Sequence, residues 1–359
     1  MRSRKNKTGA VTLILLVAVI LLALYREVAP SNPPPPAPTP AGEIGWIEVY
    51  FSDPAGPNAR SLRGGPDAYL AEAIANARLS VDIAAYDLDL WSLRDALIAA
   101  QRRGVSVRMV IDSDYHDTPE IQELVEAGLP LLGDRREGLM HNKFVVIDRQ
   151  EVWTGSMNFT VNDTYRNNNN LVRVRSTQLA ENYTREFEEM FVGDAFGPRS
   201  PADTPYQTLS VDGTLLEVYF SPEDETASRL VELIAGAQQS LYFLAFSFTA
   251  DDIAEVFIAR HRAGVSVQGV LDAGQASANT GGEYENLLQA GLDVRLDGNP
   301  NRLHHKLIVI DGAIVVTGSY NFSRSAETRN DENTLVIHNP EIAALFLAEF
   351  ERVFAQAVP

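Results

Sequence analysis

The chain has 359 residues, enough for two domains or two fused halves that each bury a core. Its 45% hydrophobic and 22% charged residues are ordinary for a globular protein, and the lack of cysteine excludes disulfides, thiol catalysis, Cys-ligated zinc and lipid modification at cysteine. The formal charge of -18 is uneven: residues 1–27 hold five basic groups and one acidic group, leaving -22 on the remainder. An acidic body argues against binding nucleic acid through a broad basic face, although a local basic groove inside it remains compatible with a nuclease.

Arg2, Arg4, Lys5 and Lys7 precede an unbroken apolar run at residues 10–25, with Arg26 after it. Sixteen helical residues reach roughly 24 Å, a little short of a bilayer core of about 30 Å. The run reads as a cleaved signal segment or an uncleaved anchor. The absence of a small-x-small site after it favours the anchor, with the basic cluster cytoplasmic and the body outside the inner or cell membrane. Residues 28–43, with Pro30, Pro33 to Pro36, Pro38 and Pro40, read as an extended, semi-rigid spacer.

The rest reads as one unit used twice. Ile47-Glu48-Val49-Tyr50-Phe51-Ser52 returns as Leu216-Glu217-Val218-Tyr219-Phe220-Ser221, and Gly104-Val105-Ser106-Val107 returns as Gly264-Val265-Ser266-Val267. Residues 44–193 and 215–359 form the two halves, with 194–214, rich in Pro, Gly, Ser, Thr and Asp, as a connector. In the first half the patterning predicts strands at 80–85 and 105–111, helices at 91–103 and 119–127, and strands at 143–148 and 151–154. The second half repeats this order and closes with a helix near 340–355. The expected class is α/β, with a largely buried mixed sheet in each half. Such halves commonly pack about a pseudo-twofold axis, with a shared site on it.

Chemistry concentrates in the best-matched blocks. His141-Asn142-Lys143 is followed by four apolar residues, Asp148, six further residues and Gly155-Ser156-Met157-Asn158; His304-His305-Lys306 leads in the same spacing to Asp311 and Gly318-Ser319-Tyr320-Asn321. Residues two apart in a strand share a face, so each block aims an imidazole and an ammonium at one phosphate. Two blocks supply one imidazole to attack phosphorus and one to protonate the leaving oxygen. Lys143 and Lys306, with Ser156, Asn158, Ser319 and Asn321, are expected to hold the non-bridging oxygens as charge builds. Asp148 and Asp311 are expected to lock strand ends and not to carry protons, and His305 to point away from the His304 and Lys306 face. The run Asp112, Asp114, His116 and Asp117 reads as a solvated loop, not a metal site.

These paired blocks resemble the HxK(x)4D(x)6GSxN signature of the phospholipase D superfamily, over about residues 47–354. The stretch Thr328-Arg329-Asn330-Asp331-Glu332-Asn333 is similar to the bacterial endonuclease and mitochondrial cardiolipin hydrolase branch. The resemblance implies a duplicated phospholipase D-like fold and a phosphohistidine intermediate, with no metal or cofactor. It adds Glu332 to the catalytic set of His141, Lys143, Asp148, His304, Lys306 and Asp311, as a carboxylate that orients an imidazole. The matching place in the first half is Asn169. With Glu332 on His304, 28 residues before it, His304 is expected to be the general acid and His141 the nucleophile.

The expected substrate is a phospholipid, cleaved at its distal phosphodiester by a membrane-tethered chain that is monomeric because both motifs share it. The alternative is a nuclease acting on DNA or RNA. Behind these stand a phosphatidyl-transferring synthase of the cardiolipin type and an inactive binding scaffold.

Overall fold

The computed structural model describes residues 41–358. The apolar run at 10–25 and nearly all of the proline-rich stretch therefore lie outside the described residues. Among the described residues no helix is long and apolar enough to cross a membrane.

Two eight-stranded sheets share one pattern of strand order. The first runs Gly42–Ile44, Ile47–Phe51, Asn170–Arg175, Glu151–Gly155, Lys143–Ile147, Ser80–Ala85, Ser106–Ile111 and Leu131–Gly133. The second runs Thr208–Val211, Thr214–Ser221, Glu332–His338, Ile314–Gly318, Lys306–Ile310, Ser240–Ala245, Ser266–Leu271 and Asp293–Leu296. Three strands at one end of each sheet pair in parallel and the rest antiparallel, which is the mixed α/β arrangement expected. The motif strands Lys143–Ile147 and Lys306–Ile310 are central and wholly buried, which explains their unbroken, largely β-branched apolar runs.

Helices cover both faces. Trp91–Arg102 buries Leu93, Leu97 and Ala100, one helical stripe, against the sheet. Thr177–Phe191, capped by Ser176, and Pro340–Phe354, capped by Asn339, pack into a central core drawn from both halves, including Val146, Phe187, Leu216, Val309, Leu335 and Phe346. Backbone bonds stitch the halves in matched pairs: His141 N–H donates to Asp331 O at 3.0 Å, and His304 N–H to Asn168 O at 2.9 Å. The two halves are thus related by a pseudo-twofold axis beside the motif histidines.

The connector at 194–214 is more structured than its composition suggested. Thr208–Val211 forms an edge strand paired with Thr214–Ser221, turning at Asp212 (φ 48°) and Gly213 (φ 79°). An Asp-Gly pair with both φ positive is a tight hairpin signal that a turn-rich composition concealed.

Asp148 and Asp311 lock the fold as expected. Each stands at the far end of its motif strand and accepts three backbone N–H bonds at the start of a neighbouring strand: Arg78, Leu79 and Ser80, or Gln238, Gln239 and Ser240, at 2.7–3.1 Å. Burial pushes the Asp311 carboxyl up, yet those bonds hold it below the usual carboxylate range. Asp311→Ala is therefore expected to cost about 1–3 kcal/mol of stability, read by denaturant unfolding, with kcat of the folded fraction unchanged. A collapse of kcat at full stability would return Asp311 to the catalytic set.

Candidate active site

Each motif block enters its strand through a clamp. Asp112 Oδ2 accepts the Met140 N–H at 3.0 Å, and Asp272 Oδ2 accepts the Leu303 N–H at 3.1 Å, immediately before His141 and His304. Asp112 is thus buried and structural, not part of a solvated loop, whereas His116 and Asp117 do pair at the surface. At the other end, Gly155 (φ 151°) and Gly318 (φ 148°) open the turn to Ser and Asn. A Cβ there would approach Asn170 O to 2.4 Å and Asn333 O to 2.2 Å, so only glycine lets the strands close.

The four expected groups converge. His141 and His304 are 5% and 6% exposed, and the two lysines less, so the site is a recess largely shielded from bulk solvent. Lys143 Nζ donates to His141 O at 2.6 Å and lies 5.1 Å from the Tyr86 ring; Lys306 Nζ donates to His304 O at 2.8 Å and lies 4.9 Å from the Phe246 ring. The same rings meet the imidazoles edge to face, Tyr86 on His141 at 4.9 Å and Phe246 on His304 at 4.6 Å. Tyr86 and Phe246 follow matching strands, Ser80–Ala85 and Ser240–Ala245, and build matching walls. No motif announced them.

The orienting partners are crossed between the halves, which corrects the pairing expected for Glu332. Its Oε2 lies 2.7 Å from Nδ1 of His141, not beside His304. His304 Nδ1 instead meets Asn169 Oδ1 at 3.0 Å and Asp163 Oδ2 at 3.3 Å. The reason is topological: the residues before Glu332 and Asn169 are those that bridge to the opposite motif strand. Carboxylate and amide oxygens only accept here, so both Nδ1 atoms carry the proton and both Nε2 atoms keep a lone pair.

Ser156 and Ser319 need a second correction. Both are fully buried, and their hydroxyls donate to Asn169 Oδ1 (2.9 Å) and Glu332 Oε2 (2.7 Å) while accepting the Asn170 and Asn333 N–H groups. They hold the residues that hold the imidazoles and have no donor left for phosphate. Asn158 and Asn321 stay available: both are part-exposed, and their Nδ2 donors make no hydrogen bond among the described residues. His305 points away as expected, to Glu349 at 3.0 Å.

Asp163 was not foreseen. Aligning the halves places it opposite Ala326, six residues before the Asn169 and Glu332 pair. The first half thus lacks a carboxylate at position 169 and carries one at 163, directed to the same imidazole. Burial pushes the Asp163 carboxyl up, while bonds from Asn167 and the Asn158 N–H hold it down.

Electrostatically the basic groups of the recess are held back from their charged forms, even with Glu332 and Asp163 beside the imidazoles. Burial drives the His141 imidazole down to about 4, with Lys143 and Lys306 adding to it and Glu332 opposing. Burial also lowers Lys143 to about 8 and takes His304 and Lys306 well below their ordinary values. Two imidazoles and two amines packed together favour any bound group that brings negative charge.

A family described as cardiolipin synthase, PLD-like domain matches residues 70–191 and 230–354, one segment in each half and well over half of the chain. The chain belongs to the phospholipase D-like family. It is similar to human mitochondrial cardiolipin hydrolase, 35% identical over 38% of this chain and 55% of that one. It is also similar to phospholipase D of Rickettsia prowazekii, 34% identical over 41% of this chain and 72% of that one. Against several of the cardiolipin hydrolases it spans 60%, 55% and 64% of their length. The solved phosphatidylserine synthase of Haemophilus influenzae Rd KW20 shares the fold across 86% of this chain and 85% of its own, with a TM-score of 0.63 and 15% identity. The duplicated phospholipase D-like fold implied by the paired motifs is thus present.

Proposed function

We propose that this chain hydrolyses the distal phosphodiester of a phospholipid through a phosphohistidine intermediate. The observation that carries the reading is the convergence, from both halves, of two Nε2 lone pairs and two amines in one buried recess. Nε2 of one imidazole attacks phosphorus and the bond to the head-group oxygen breaks. The other imidazole, which takes up a proton on Nε2 as the anionic phosphodiester binds, gives it to that oxygen, so the head-group alcohol leaves. The second imidazole then takes a proton from water, the hydroxide attacks phosphorus, the P–N bond breaks and phosphatidate departs. Lys143, Lys306 and the side chains of Asn158 and Asn321 stabilise the non-bridging oxygens.

Crossed pairing removes the earlier ground for dividing the roles and supplies another. The attacking imidazole becomes a phosphoimidazolium that keeps its charge until water arrives, so it gains most from the nearer carboxylate. His141, 2.7 Å from Glu332, is the nucleophile on this reading and His304 the acid and base. The lipid preference is supported by the charge of -18 and by Asp87 beside Lys143. Burial pushes the Asp87 carboxyl up to about 7, and Asp89 and Asp163 add to the push. A polyanionic strand would meet the part-exposed Asp87 and Asp89. The names of the relatives point the same way.

The test uses full-length protein and mixed phospholipid vesicles, beside single-stranded DNA and RNA, with EDTA present and well below the melting temperature. Head-group release lost in His141→Ala and His304→Ala supports the reading. Nucleic-acid cleavage alone, lost in both variants, would establish the nuclease instead.

Anion binding supplies a pH test. A bound phosphodiester stabilises the imidazolium form, so binding takes up protons. Affinity for an inert dialkyl phosphate is expected to strengthen as pH falls from neutrality toward about 4, where free His141 titrates, and to weaken above about 8 as Lys143 loses its proton. A pH-independent Kd would contradict the charge-deficient recess.

A further inference from the structure

Behind the first motif strand three carboxylates meet. Glu186 and Glu189 lie one turn apart on helix Thr177–Phe191, and Glu223 follows strand Thr214–Ser221. One oxygen from each lies within 4.8 Å of the others. Glu186 is 2% exposed, and the Glu189 side chain 10%. Glu186 Oε1 accepts from Asn142 Nδ2 at 2.9 Å, whereas Oε2 of Glu189 and Oε2 of Glu223 are buried without a hydrogen-bond partner among the described residues. Arg185 reaches only to 3.8 Å of Glu189, and it is largely exposed and committed to Asp203, a carboxylate that cancels its charge.

The second half shows how the same position is balanced. His305 stands where the first half has Asn142, Glu349 where it has Glu186, and Arg352 where it has Glu189. Arg352 clasps Glu349 with bonds of 2.8 and 2.6 Å, while His305 bonds it from the other side. The first half keeps the buried glutamate, replaces the guanidinium by another carboxylate and adds Glu223.

We propose that Glu186, Glu189 and Glu223 bind a divalent cation of the calcium type, which does in the first half what the Arg352 guanidinium does in the second. An all-carboxylate set is hard and oxygen-only, which selects calcium or magnesium over zinc or copper. The three oxygens lie within 4.8 Å of one another, a separation that two calcium–oxygen bonds of about 2.4 Å can span, and magnesium, which sheds its water reluctantly, is rarely held by an all-protein set. The cation braces the motif strand from behind, through Asn142 and then Asn333, which bonds Asn142 at 2.8 Å and follows Glu332 in the chain. It stands apart from the reacting imidazoles, so calorimetry and melting detect it independently of turnover.

The experiment is titration of EDTA-stripped full-length protein with calcium chloride by calorimetry, with melting curves alongside. One calcium per chain and a Tm rise of roughly 3–6 °C at a hundredfold excess over Kd are expected, with a smaller response to magnesium chloride. Glu189→Gln is expected to weaken binding at least about tenfold. Glu189→Arg, which copies the second half, is expected to give no calcium heat and calcium-independent melting. The proposal is overturned by a wild-type protein that neither binds nor melts later in millimolar calcium, or by unaltered binding in Glu189→Gln. A magnesium response equal to that of calcium would overturn the choice of ion.

Discussion

His304→Ala, given a phosphodiester with an activated leaving group, is expected to stop after one half-reaction with phosphate bonded to His141. An aryl oxide leaves without a proton, so the missing imidazole is not needed for the first step. The second step needs a base to activate water, and there the alanine is felt. Steady-state turnover is expected to fall by about 10^4-fold or more, with one equivalent of aryl alcohol released in a burst. Intact mass and peptide mapping should then find the adduct on His141. His141→Ala is expected to lose the same turnover and give no burst, because nothing remains to attack. An adduct on His304 in the reciprocal variant would exchange the two roles while leaving the site intact.

The second large effect concerns Asp163. Asp163→Ala removes the carboxylate 3.3 Å from His304 Nδ1 and leaves only the amide of Asn169. The imidazolium of His304 then loses its counter-charge, and kcat is expected to fall by about 10- to 100-fold with KM little changed. The limb of the kcat profile that reports His304 is expected to shift to lower pH, which a merely structural defect would not produce. Asp163→Ala combined with Asn169→Glu rebuilds in the first half the Ala326 and Glu332 arrangement of the second. The exchange is slightly smaller in total, so it fits a fully buried position. It should restore most of kcat and return the pH limb. If the double variant is as slow as Asp163→Ala while folding normally, Asp163 acts through the loop it braces and not through His304.

What could be seen in advance follows from the range of the interactions involved. His141, Lys143, His304 and Lys306 were legible because alternation along a strand is local and the block occurs twice. The mixed sheets were legible for the same reason, since apolar runs and helical stripes need only neighbouring residues. The partner of each imidazole was not, because 28 residues of separation pointed within a half while the fold crosses between them. Ser156 and Ser319 looked like phosphate donors from the turn alone; their commitment to Asn169 and Glu332 needs the closed sheet. Asp163 belongs to no motif, yet the mismatch with Ala326 was a visible signal. Tyr86 and Phe246 carried none, since an aromatic after an apolar strand is ordinary.

The crossed partnership has a consequence for how such a chain diverges. Each of His141 and His304 takes its partner from the opposite half, so a substitution drifting into one copy alters the acidity of the motif histidine in the other. In an assembly of identical subunits each change appears at both histidines at once, and symmetry keeps them chemically equal. Fusion lifts that constraint. Glu332 on one side and the Asn169 and Asp163 pair on the other show two copies that no longer treat their neighbours alike. Division of labour between two identical side chains is thereby open to selection one half at a time.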